Sequence, residues 1–418
     1  VLDNLVSHYK NRLLQETELD RIQNLSERDM RLSIMKMIER FIQEEKVILS
    51  RSDKEHLIAR ILDDSVGFGP LEAFLHDESI TEIMVNGPFE IFVERDGKLH
   101  LTDSAFRDDG HLRHVIDRMV APVGRRVDEY SPMVDARLKD GSRVNAIIPP
   151  VSLRGPVLTI RKFRKQPFSI TDLLQKGTMD SAMARFLEGA VQAKLNILLS
   201  GGTGSGKTTL LNVLSSYIPH GERVITIEDS AELRLQGQHV VNLETRPENV
   251  EGRGEITIRQ LVRNALRMRP DRIIVGEVRG DEALDMLQAM NTGHEGSLTT
   301  IHANSPHDAL GRLEAMVLMG GVSLPPGVIR QYILSAIDLI VQMERFMDGR
   351  RRVVSIAEVR SCREGLEIHE LFAWERAGMG PEGNSLGQFR RSDKPPVCLE
   401  RIKNNGIRLQ DLWRHSTC

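Results

Sequence analysis

An apolar run, Asn196-Ile-Leu-Leu-Ser200, leads straight into Gly201-Gly-Thr-Gly-Ser-Gly206-Lys207-Thr208, and this junction constrains the fold more than any other stretch. The eight residues fit G-x-x-x-x-G-K-[ST] at every fixed position. Small residues let the backbone curl until several N–H groups converge on one anion. A helix expected from Lys207 to Ser216 offers its positive end to the same anion. Lys207 adds a mobile point charge for the β- and γ-phosphates, and the Thr208 hydroxyl is a hard oxygen ligand suited to Mg²⁺. The expected nucleotide-binding residues are Gly201, Gly202, Thr203, Gly204, Ser205, Gly206, Lys207, Thr208 and the adjoining Thr209.

From Ile170 onward, strand and helix patterns alternate. A helix over Ser181–Lys194 precedes the Asn196–Ser200 strand. Strand Arg223–Ile227, helix Ile258–Arg269, strand Arg272–Val275, helix Asp281–Met290, strand Leu298–Ile301 and helix His307–Met319 follow. Such alternation predicts an α/β domain with a parallel core and helices on its faces. Leu339–Gln342 and Arg351–Ala357 read as a hairpin across Asp348-Gly349. Residues 375–418 are richer in Gly, Pro and charge and read as a loosely packed tail, with Trp413 as a docking point.

Ahead of this domain, Leu5, Tyr9 and Leu13, then Ile34, Met37, Ile38 and Phe41, recur at helical spacing and predict a helical segment over 1–62. Residues 63–163 change period. Ile91-Phe-Val-Glu94 runs into the turn pair Asp96-Gly97, and Lys139-Asp-Gly141 separates Val134–Leu138 from Arg143–Ile148. With Val157–Arg161 as another strand, this segment reads as an α+β domain with a largely antiparallel sheet. The polar, basic stretch Lys162–Pro167 reads as a linker. The expected divisions are 1–62, 63–163, 164–374 and 375–418.

Two strand ends carry acids. Arg272-Ile-Ile-Val-Gly-Glu277 places a carboxylate where a Walker B acid belongs, and Arg223-Val-Ile-Thr-Ile-Glu228-Asp229 ends in an acidic pair. In open α/β sheets ligands sit at the carboxyl ends of the strands, so Glu228 and Glu277 should converge on the phosphates. His294 precedes the Leu298–Ile301 strand and His302 follows it. The residue four after His294 is Leu298, so the H-E-x-x-H zinc pattern fails.

Several classes are disfavoured. A formal net charge of −3 and 4% aromatic residues offer little for phosphate tracking or base stacking, so no nucleic-acid partner is expected. Cys362, Cys398 and Cys418 form no C-x-x-C pair, which argues against a four-thiolate zinc site and favours a reducing, cytoplasmic home. No stretch of about 18 apolar residues suggests a spanning helix, and charges run through the first 20 residues, unlike a signal peptide.

Taken in order, these segments resemble the secretion superfamily of hexameric traffic ATPases, in particular the CpaF/TadA-type ATPases of Flp (tight-adherence) pilus assembly. Gly67-Phe-Gly-Pro-Leu71, Thr81-Glu-Ile-Met-Val-Asn-Gly-Pro88 and Val278-Arg-Gly280 followed by Asp281-Glu-Ala283 carry the resemblance together with the phosphate loop. It implies a RecA-like P-loop ATPase domain behind an α+β domain and a helical segment, and ATP hydrolysis with Mg²⁺. By the same resemblance Glu228, beside Asp229 in the Asp box, activates the attacking water, and Glu277 acts on Mg²⁺ directly or through its water shell. His294 and His302 match the His box, and Arg143 and Arg161, with Arg154 between them, match arginines that approach the phosphates across an interdomain cleft. A hexameric ring, inner-membrane pilus platform proteins as partners, and a cytoplasmic location peripheral to that membrane are also implied. The tetra-cysteine insertion of many type II secretion ATPases is missing, and Gly276 stands where other P-loop motors carry an aspartate. A type IV secretion traffic ATPase, a nucleic-acid translocase with a RecA-like core, and a nucleotide-gated assembly factor with little turnover remain open.

Overall fold

The computed structural model describes residues 5–6, 8–9, 12–13, 16, 27–65, 67–95, 97–138, 140–163, 167–235, 239–246, 248, 253–321, 324–362, 365–380, 383 and 385–413. Asp96 and Lys139 of the two expected turns, residues 164–166 of the expected linker, and Cys418 lie outside them. The chain divides into two compact units, Val1–Arg164 and Lys165–Cys418.

In the first unit, helices α1 (Glu27–Glu44) and α2 (Arg51–Ser65) share a core with helical residues between 5 and 16. Ile34, Ile38 and Phe41 recur at helical spacing and meet Val6, Tyr9, Leu13, Leu57 and Ile61. Next come α3 (Glu72–His76), β1 (Ile80–Asn86), β2 (Ile91–Arg95), β3 (Lys98–Leu101), α4 (Asp109–Val120), β4 (Met133–Arg137), β5 (Arg143–Ile147) and β6 (Val157–Arg161). The six strands form one antiparallel sheet in the order β3-β2-β1-β6-β5-β4. Arg95 pairs with Lys98, so β2 and β3 are joined by a two-residue turn whose second member, Gly97, has φ +77°. Asp108 caps α4 by accepting from His111 N at 2.7 Å, and Leu112, Val115 and Ile116 of that helix join Ile83, Val85, Leu158 and Ile160 in the core. Lys162 and Phe163, expected in the linker, are tied to this unit. Lys162 Nζ donates to Phe74 O and Asp77 O, and Phe163 N to Ser142 Oγ.

The second unit opens with α5 (Ile170–Gln175) and α6 (Ser181–Gln192). It continues with β7 (Ile197–Gly201), α7 (Lys207–Ser215), β8 (Val224–Glu228), β9 (Val240–Glu244), α8 (Ile258–Ala265), β10 (Arg272–Val278), α9 (Glu282–Asn291) and β11 (Leu298–Ile301). Helices α10 (Pro306–Met319) and α11 (Pro326–Ala336) lead to β12 (Leu339–Arg345), β13 (Arg351–Cys362), β14 (Gly365–Met379), β15 (Ser385–Arg391) and α12 (Leu399–Asn404). Strands β9, β8, β10, β11, β7 and β12 run parallel, and β13, β14 and β15 extend the same sheet antiparallel beyond β12. Every residue of β7 and β8 is buried, which is why both read as unbroken apolar runs. Side chains alternate between two cores. Ile197 and Leu199 meet Phe186, Leu210 and Leu214 on one face, and Leu198 joins Met286, Leu287 and Leu313 on the other. This is the RecA-like α/β fold, preceded by an α+β segment and a helical segment.

The described residues of the stretch expected as a loosely packed tail are instead structured. Residues 375–379 complete β14, β15 becomes the sheet edge, and Ile402, Leu409 and Leu412 are buried in the main core. Trp413 does dock, with its ring centroid 5.6 Å from Phe186 and 5.7 Å from Phe372. No helix among the described residues is long and apolar enough to cross a membrane.

Candidate nucleotide site

Strand β7 delivers the chain to the phosphate loop at the carboxyl edge of the parallel strands. Gly201 closes that strand so tightly that a Cβ there would stand 2.4 Å from Met343 O. Gly206 caps α7 with φ +98°, a left-handed backbone that favours glycine and turns the loop into the helix. Ser205 Oγ donates to Gly202 O at 2.8 Å and braces the curl. Lys207 is buried, and its ammonium donates to Gly201 O at 2.9 Å and Gly202 O at 3.0 Å. Thr208 and Thr209 follow in the first turn of α7, both half-buried.

Sheet register sets which acids and histidines approach this loop. Val278 of β10 pairs with Ile301 of β11, which brings Glu277 next to His302. Glu277 Oε1 is 2.6 Å from His302 Nε2, without hydrogen-bond alignment, and Lys207 Nζ is 3.4 Å from His302 Nδ1. Burial first, and then the Lys207 charge, hold the His302 pKa below its ordinary value. Arg279 and Arg312 add to that effect, and Glu277 opposes it. The other Glu277 oxygen, Oε2, accepts from Arg279 Nη2 at 2.5 Å, and Arg279 Nη1 reaches Asp229 Oδ2 at 3.1 Å. Glu277, chiefly, raises the Arg279 pKa. Lys207, His302, Glu277, Arg279 and Asp229 thus form one polar chain from the phosphate loop to the end of β8.

Glu228 takes a different orientation. Its carboxylate is buried and accepts from Glu232 N at 2.9 Å and Leu233 N at 3.1 Å, bracing the loop that follows β8. Its Cγ lies 2.9 Å from where a Cβ on residue 276 would stand. This close approach explains Gly276, the departure seen in the sequence before Glu277.

The remaining expected residues are His294, Arg143 and Arg161. His294 lies at the amino end of β11, so a strand of four residues, roughly 13 Å, separates it from the edge that carries His302. It therefore does not join the cluster around Lys207. There Ser297 Oγ donates to His294 O, and Asn196 Oδ1 accepts from Gly296 N and Ser297 N, fixing the turn. Arg143 and Arg161 belong to the first unit, where they are register partners across β5 and β6. Arg161 Nε is 3.8 Å from Glu82 Oε1.

Thr208 in the first turn of α7 and Glu277 near the end of β10 offer a hydroxyl and a carboxylate to a metal. Among the described residues, no group of three or more His, Cys, Asp or Glu side chains could hold a metal. Two hard oxygens without an all-protein cage suit Mg²⁺, which keeps waters and takes phosphate oxygens. Sequence reasoning gave no role to Arg279. Its signals were a basic residue two positions after the Walker B acid and its place in the Val278-Arg-Gly280 segment of the resemblance.

The type II/IV secretion system protein family model matches residues 64–370. A putative conjugal transfer protein of Mycobacterium tuberculosis is 37% identical over 332 residues, covering 78% of this chain and 94% of that protein. The type IV secretion system protein VirB11 of Bartonella henselae is 32% identical over 326 residues, covering 69% and 90%. The X-ray structure of the ATPase DotB from Yersinia pseudotuberculosis shares the fold at a TM-score of 0.50 and 17% identity, covering 69% of this chain and 77% of that one.

Proposed function

The chain belongs to the type II/IV secretion system protein family and is an ATP hydrolase, and from that premise we propose that it is the cytoplasmic motor of a Flp-type pilus assembly machine. One observation carries the catalytic part of this reading: Lys207, His302 and Glu277 meet at the carboxyl edge beside the phosphate loop.

In this reading the loop amides and Lys207 bind the triphosphate, for which Lys207 leaves its own loop carbonyls. Thr208, and Glu277 directly or through water, would hold Mg²⁺, which would neutralise charge on the β- and γ-phosphates. Arg279 keeps Glu277 and Asp229 together. Glu228 orients water once it releases the amides of Glu232 and Leu233. Arg143 and Arg161 are the proposed arginine donors, and a homohexameric ring acting on inner-membrane platform proteins is the proposed assembly. His294, remote from the phosphates, serves coupling rather than chemistry.

A second reading, a type IV secretion traffic ATPase, is favoured by the names of the relatives from Mycobacterium tuberculosis and Bartonella henselae. Deleting the gene and complementing with parent or Lys207→Ala separates the two. The pilus reading expects loss of surface filaments, restored by the parent alone. Loss of protein or DNA export with filaments intact supports the second. Steady-state phosphate release tests the chemistry in both, and Lys207→Ala should abolish it.

A further inference from the structure

The hairpin β12–β13 projects beyond the sheet edge beside the phosphate loop. Met343 of β12 pairs with Gly201, the last residue of β7. There β7 turns into the loop, while β12 runs on through Glu344 and Arg345 and returns at Arg351, the register partner of Arg345. Those two arginines therefore stand level with residues 202–206, although they are at least 139 residues away in sequence. Arg351 Nε donates to Gly204 O at 2.8 Å. Its Cδ lies 3.4 Å from where a Cβ on Gly206 would stand, and Arg345 Nη1 lies 3.2 Å from the same point on Gly204.

We propose that Arg351 is a positioning residue of the phosphate loop, setting the curl of Gly204–Gly206 through the Gly204 carbonyl so that the loop amides face the nucleotide. A peptide carbonyl held on the outer side of the loop directs the adjoining N–H groups inward, where they meet phosphate oxygens. The action goes through the backbone, so it concerns every nucleotide whose β-phosphate sits in the loop. It is distinct from the arginines of the first unit. The proposal deepens the ATPase reading of the same site and rests on it.

Lysine separates positioning from charge. Arg351→Lys keeps the cation but places a methylene where Nε donates. The test is displacement of a fluorescent ADP analogue by ADP and by ATP, with phosphate release and thermal melting, on the full chain as parent, Arg351→Lys and Lys207→Ala. Arg351→Lys should weaken ADP and ATP alike, by about tenfold, the worth of one hydrogen bond with a charged donor, at an unchanged melting temperature. Three results overturn the proposal: affinity equal to the parent's, a loss confined to ATP, or a loss that accompanies a fall in melting temperature. The underlying reading fails separately, if Lys207→Ala binds and hydrolyses ATP like the parent.

Discussion

Glu277 Oε1 stands 2.6 Å from His302 Nε2, at the point where the carboxyl ends of β10 and β11 lie side by side. Lys207 Nζ approaches the same imidazole, 3.4 Å from Nδ1 and 3.5 Å from Nε2. A ring in contact with both a carboxylate and an ammonium would be proton-sensitive if it titrated freely. Burial and Lys207 prevent that by disfavouring its charged form. A neutral His302 tolerates the nearby Lys207 ammonium, whereas a protonated one would repel it.

That balance predicts a pH dependence of stability with a definite sign. The folded-state pKa of His302 is depressed, so on acidification the unfolded chain takes up this proton first. The contribution is complete above the ordinary imidazole pKa of about 6.5 and is lost as pH falls through the lower folded value. Denaturant melts of the parent and of His302→Asn, run from neutral pH into mild acid, should converge as the pH drops. Parallel curves over that window would show that His302 does not titrate differently on folding.

Arg272 should be the costliest surface-remote side chain to lose. It is fully buried; Nε pairs with Glu222 Oε2 at 2.5 Å, and Nη1 donates to Val191 O at 2.7 Å and to Gly296 O at 3.3 Å. Arg272→Ala strands Glu222 and two carbonyls and should destabilise by roughly 3–5 kcal/mol. Glu222→Gln leaves the buried guanidinium without its counter-charge but keeps an acceptor oxygen for it, so it should destabilise by less. Denaturant midpoints of the two variants check the ranking.

Trp413 gives a third test. Its ring packs against Phe186 of α6 and Phe372 of β14, holding the last described turn to the core. Trp413→Ala should destabilise the second unit by about 2–4 kcal/mol. A tail of the kind read from its Gly, Pro and charge would show almost no change in melting temperature.

These sites mark what was legible in the sequence. Strands β7, β8, β10 and β11 are buried on both faces, so their composition alone announces them. Strand β14 buries Leu371 and Phe372, but its last five residues, 375–379, are all exposed, and their polar character disguised a sheet strand as surface. The phosphate loop is a local motif, so its residues could be read directly. The contacts Arg351–Gly204 and Arg279–Asp229 join residues 147 and 50 positions apart, and only sheet register brings them together. Register also separates His294 from His302. Eight positions apart in sequence, they stand at opposite ends of one strand.

The contact between Glu228 and Gly276 yields the last prediction. Residue 276 has no room for a Cβ, which would stand 2.9 Å from Glu228 Cγ, an atom near the backbone of a buried side chain. Gly276→Ala should therefore push Glu228 off the amides of Glu232 and Leu233, costing about 1–3 kcal/mol by overpacking. Glu228→Gln keeps the shape and one acceptor oxygen for those amides, so it should leave nucleotide affinity and melting temperature near the parent's. If Glu228 activates water, the amide cannot take the proton, and turnover should fall by about a hundredfold or more. Phosphate release measured beside nucleotide binding distinguishes the two variants. A Glu228→Gln enzyme at parental speed would leave Glu228 with only its role in bracing the loop after β8.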